Sequence, residues 1–130
     1  MTPSSESPSS PPPASCRGRH LICELFGASG LTDEAHVEDV LTRTARACGA
    51  TILETRLHPF DENDGITGVI LLAESHVTIH TWPEHDYAAV DLFLCGDCDP
   101  ADGVPVLERG FDPDTVQKAT FDRGRPRSTP

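Results

Sequence analysis

The chain has 130 residues, with 10 basic and 21 acidic side chains and a net charge of -11. That balance denies it the basic footing that binding a phosphate backbone requires, and no apolar run approaches the roughly 20 residues of a membrane span. Nucleic acid and bilayer are therefore excluded as expected partners, while a cationic ligand is compatible with the charge.

The first fifteen residues, MTPSSESPSSPPPAS, are nearly all Ser, Pro and Thr, a composition that buries too little apolar surface to offset its ordering entropy. They lack the basic start and apolar run of a signal peptide. With the closing RGRPRSTP of similar character, the expectation is a disordered tail at 1–17, one domain at 18–124 and a flexible tail at 125–130. Five cysteines (Cys16, Cys23, Cys48, Cys95, Cys98) are an odd number at irregular spacing. That suits reduced thiols in the cytoplasm better than a disulfide framework.

HLICELF, from His20, alternates with the period of a strand covered in part on both faces. After the break at Gly27 to Gly30, the spacing of Val37, Val40, Leu41, Ala45 and Cys48 predicts a helix over 33–48. Acids stand in its first turn and Gly49 stops it. ATILETRLHPF and GITGVILLAES read as strands separated by the turn DENDG. HVTIHTW and AAVDLFLCG read as two more, joined by PEHDY. In residues 99–115 a short second helix is weakened by Gly103 and Pro105, and VQKATFDR is a candidate last strand. No internal repeat is visible.

Residues 71–96, LLAESHVTIHTWPEHDYAAVDLFLCG, gather a Glu-Ser pair, three histidines, the one tryptophan and a cysteine. His76 and His80 have the HxxxH spacing of a metal pair on a helix. Val77, Thr78 and Ile79 favour a strand instead, where four residues span about 13 Å, too far for one ion, so no metal is expected. Cys95-Gly-Asp-Cys98 has redox CxxC spacing, but Asp97 and Asp99 would raise a thiol pKa rather than lower it. The plain alternative makes Cys95 a small core residue and His80 a satisfied histidine at a sheet edge.

The stretch ESHVTIHTWPEHDYAAVDLFLCG resembles the signature of the prokaryotic S-adenosylmethionine decarboxylase proenzymes, pyruvoyl enzymes of polyamine synthesis. The likeness extends through GRHLICELFGA, GATI, HPF and GITGV, and so covers most of residues 18–100. It implies an α+β fold, an antiparallel sheet with helices packed on one face, assembled as a homodimer with sites at or near the interface. It also implies self-cleavage between Glu74 and Ser75, giving a β chain of 1–74 and an α chain of 75–130. Ser75 would attack the preceding carbonyl, and elimination and hydrolysis would leave a pyruvoyl group that holds the substrate as a Schiff base. By the same resemblance His80 is the base of processing and Cys95 the acid that reprotonates the decarboxylated carbon, as a thiol still protonated at neutral pH suits. Phe60 would stack on adenine; Trp82 and Glu84 would line the site, with Glu84 accepting from ribose hydroxyls. Glu24 reads as a solvated or ion-paired residue.

The chain departs from that pattern at Ala73, His85, Asp86 and Leu94 and in the longer DENDG turn. None touches Ser75, His80 or Cys95, but they leave open a second reading, a pyruvoyl decarboxylase of ornithine or arginine. A third, of another class, is a non-catalytic acidic binding domain or a thiol-redox module. The implied product of the first reading is the aminopropyl donor for spermidine.

Overall fold

The computed structural model describes residues 16–126; most of the two expected tails lies outside them. Six strands follow one another as β1 (Gly18–Phe26), β2 (Ile52–Pro59), β3 (Ile66–Leu72), β4 (Ser75–Trp82), β5 (Tyr87–Cys95) and β6 (Thr115–Arg123). Helix α1 (Glu34–Ala47) lies between β1 and β2, and α2 (Val104–Phe111) between β5 and β6. All pairings are antiparallel, in the order β2-β3-β4-β5-β1-β6. The α+β architecture expected from the sequence is the one observed.

Alternation on the strands explains why both helices lie on one side. Leu21, Cys23 and Leu25 of β1, Val77 and Ile79 of β4, and Val90, Leu92 and Leu94 of β5 point into a single core with Val37, Val40 and Leu41 of α1 and Leu107 and Phe111 of α2. The intervening residues form the opposite, open face. Its large apolar members Ile22, Phe26, Leu71, Trp82 and Phe121 are exposed, which is unusual for a sheet face of this width.

Helix α1 begins where the acidic first turn predicts, with the Asp33 carboxylate accepting from the His36 N–H at 3.1 Å. The second helix forms despite Gly103 and Pro105. Pro105 falls in the first turn, where an N–H has no intrahelical partner to lose, and Gly103 allows the chain to pass close to Thr44 and Leu92. Gly110 is tighter still, since a Cβ there would come within 2.5 Å of Val40 Cγ2. Gly110→Ala should therefore destabilise the domain by about 2 kcal/mol through overpacking, read as a lower urea midpoint at unchanged slope.

One boundary differs from expectation in a way that matters. The apolar run GITGVILLAES reads as one strand through Ser75, yet β3 stops at Leu72 and Ser75 opens β4, paired with Leu72 across a two-residue turn. The Ala73 N–H donates to Thr51 O at 3.0 Å, and Glu74 takes a left-handed φ of 65°. Side-chain pattern alone carries no mark of this turn, because neither Ala nor Glu is a turn residue.

Candidate active site

Among the described residues three others that are not glycine share the positive φ of Glu74, namely Asp64, Asp86 and Asp112. Aspartate tolerates that region because its short side chain bonds locally. Glutamate gains no such relief, and the conformation costs on the order of 1 kcal/mol. The strain thus sits on Glu74, the residue whose carbonyl is joined to Ser75.

Ser75 itself is only 9% exposed. Its hydroxyl donates to Cys95 Sγ at 3.3 Å and accepts from the Cys95 backbone N–H at 3.2 Å. Cys95 Sγ in turn donates to Glu74 Oε1 at 3.6 Å. The hairpin of β3 and β4 and the end of β5 therefore bring Glu74, Ser75 and Cys95 together, as three groups that the sequence singles out separately. Cys98 follows in a turn, its N–H donating to Cys95 O at 3.4 Å. Burial, then Cys95 and Asp97, push the Cys98 thiol up, opposite to what a reactive redox pair needs.

His80 is not part of this group within one chain. Residues of β4 alternate between the core and the open face, and His80 stands five positions from Ser75 on the open side, about 16 Å along the strand. Its Nδ1 shares a hydrogen bond with the Thr67 hydroxyl at 3.2 Å. Together with Phe60, Asn63, Thr67 and Trp82 it lines a hollow of ≈ 240 Å³ at the end of the sheet. Phe60 and Trp82 are about two-fifths exposed there, at 42% and 39%. Trp82 also stacks on Tyr87, with centroids 5.3 Å apart.

Glu84 is fully solvent-exposed at the rim, bound by the Asn63 amide at 3.2 and 3.4 Å. Its carboxyl is held below the usual range by its own backbone N–H and then by Asn63. Glu24 accepts from the Tyr87 hydroxyl; burial and that carboxylate push the phenol up to about 12. Burial, followed by His20, lowers the pKa of His76, whose ring lies 5.6 Å from that of Phe93. Thr67 and Asn63 escape sequence reasoning, since a threonine in a strand and an asparagine in a turn are each explained locally. The register Thr67↔His80 is the only signal that links the first of them to the site.

Comparison with known proteins gives the family. Residues 19–124 match the S-adenosylmethionine decarboxylase family. The S-adenosylmethionine decarboxylase proenzyme of Methanococcus vannielii is 44% identical over 110 residues, which is 82% of this chain and 89% of that protein. Its counterpart in Caldanaerobacter subterraneus subsp. tengcongensis is 41% identical, over 82% of this chain and 88% of that one. The crystal structure of the adenosylmethionine decarboxylase from Aquifex aeolicus VF5 superposes with a TM-score of 0.76 at 29% identity, covering 90% of this chain and 98% of that one. With this extent of match in sequence and in fold, the chain belongs to the S-adenosylmethionine decarboxylase family.

Proposed function

We propose that the protein is a self-processing, pyruvoyl-dependent decarboxylase of S-adenosylmethionine, working as a cytoplasmic homodimer and supplying the aminopropyl donor for spermidine. The observation that carries this reading is the strained Glu74 next to a buried Ser75 whose hydroxyl is held by Cys95. Opening the chain at that peptide releases the left-handed constraint on Glu74.

In processing, the Ser75 oxygen attacks the Glu74 carbonyl and the peptide becomes an ester. Loss of the Ser75 α-proton to a base then expels the Glu74 carboxylate, and hydrolysis of the resulting dehydroalanine yields ammonia and a pyruvoyl terminus on the 75–130 chain. The pocket suits such a group, since the Cys95 N–H already donates to the Ser75 oxygen. The pyruvoyl carbonyl supplies the electron sink that decarboxylation needs. Cys95 holds a thiol proton beside the reacting position and delivers it to the carbon that has lost carbon dioxide.

His80 is the processing base, and because it stands on the far face of its own β4, it serves a second copy. The exposed Ile22, Phe26, Trp82 and Phe121 of the open face support pairing of two sheets face to face, burying these side chains. Phe60 and Trp82 offer an adenine stacking platform and Glu84 an acceptor for ribose hydroxyls; ornithine or arginine would use neither. No membrane or nucleic-acid partner enters this scheme.

The test is the mass of the purified protein followed by carbon dioxide release from labelled substrates. Two fragments, ending at Glu74 and beginning with a blocked residue 75, are expected. Release from S-adenosylmethionine should exceed that from ornithine or arginine by at least about a hundredfold. An intact chain with a free Ser75 hydroxyl refutes the reading.

A further inference from the structure

The DENDG turn, singled out as a departure from the family pattern, puts one side chain in a position with chemical consequences. Asn63 lines the hollow beside Phe60, His80 and Trp82, and its amide is bound at both ends. The Oδ1 atom accepts from the Gly65 N–H at 2.9 Å, which fixes the orientation of the amide and leaves Nδ2 as the end that meets Glu84. Nδ2 then reaches both oxygens of the Glu84 carboxylate, at 3.2 and 3.4 Å.

Glu84 is otherwise free in solvent, at the rim rather than in the lining of the hollow. An unrestrained glutamate there would lose rotamer freedom on meeting a ligand. A carboxylate has about four lone-pair sites, so two donated hydrogen bonds leave acceptor capacity for a pair of hydroxyls. We infer that Asn63 is a positioning residue for substrate binding, which tethers the Glu84 carboxylate over the hollow so that it is set to accept hydrogen bonds from a vicinal diol. The inference rests on the proposed nucleoside substrate and names a determinant of its recognition.

The variants separate tethering from a role in the turn. Asn63→Asp keeps an oxygen for the Gly65 N–H but replaces the donor with a second carboxylate facing Glu84; Asn63→Ala loses both contacts. In the processed enzyme, Asn63→Ala should raise KM for S-adenosylmethionine about fivefold, the effect of one lost hydrogen bond, with kcat within about twofold. Asn63→Asp should raise KM further at neutral pH. Its KM relative to wild type should fall as the pH is lowered into the carboxylate range, where one of the two like charges takes up a proton and becomes a donor. Glu62, His80 and His85 border the same site in both proteins, so the ratio isolates the introduced pair.

In a Glu84→Ala background, which removes the acceptor, the Asn63→Ala penalty should vanish, and with 2′-deoxy-S-adenosylmethionine it should shrink. Circular dichroism and cleavage into two fragments verify that each variant folds. Additive penalties in the double variant, or a neutral-pH KM for Asn63→Asp within twofold of wild type, overturn the inference and leave the decarboxylase reading intact. A wild type that releases no carbon dioxide from S-adenosylmethionine overturns both.

Discussion

Ser75→Ala should be recovered as one uncut chain and release no carbon dioxide above background, while wild type appears as the fragments 1–74 and 75–130. The hydroxyl is the one group that the change removes. Without it nothing attacks the Glu74 carbonyl, no ester forms, and no carbonyl terminus is made for the substrate to engage. The fold should survive, because the change removes a small buried group and its hydrogen bonds to Cys95, a loss of about 1–2 kcal/mol. Cys95→Ala should behave differently, being largely cut but turning over poorly, since the proton donor acts after the terminus exists. A Cys95→Ala enzyme with normal turnover would remove the thiol from the reaction, and a cut Ser75→Ala chain would remove the hydroxyl from processing.

The fold was legible because most of its elements follow from periodicity. Val37, Val40 and Leu41 mark the inner side of α1, and the alternation in HLICELF and HVTIHTW separates the core from the open face. What periodicity does not carry is the end of a strand where no turn residue stands. Ala73 and Glu74 continue the apolar run in pattern, and only the pairing of Leu72 with Ser75 reveals the turn. The meeting of Ser75 with Cys95 is likewise a matter of register, twenty residues apart in sequence. Periodicity alone would send Trp82 and Phe60 into a core, as large apolar residues, and only the resemblance put them in the site; both are exposed, Trp82 on the face that the helices leave bare.

Mixing two inactive chains should restore activity. Ser75→Ala alone has no nucleophile, and His80→Ala alone should stall in processing for want of a base. If the base came from the same chain, co-expressing the two would give nothing, because each chain would still lack one half of its own site. The geometry argues otherwise: His80 lies on the open face about 16 Å along β4 from Ser75, and no rotamer spans that distance. In a two-fold dimer each site would combine one copy's Ser75 and Cys95 with the partner's His80. A mixed dimer then contains one site with both residues intact and one with neither. With random pairing, half of the dimers are mixed and half of their sites work, so roughly a quarter of wild-type cleavage and carbon dioxide release should return. Rescue should demand co-expression, or mixing before the dimers close, and the cut chain should carry the His80→Ala substitution, which mass spectrometry of the 75–130 fragment reads directly. Failure of rescue in verified mixed dimers would mean that processing takes its proton-abstracting base from elsewhere in the same chain.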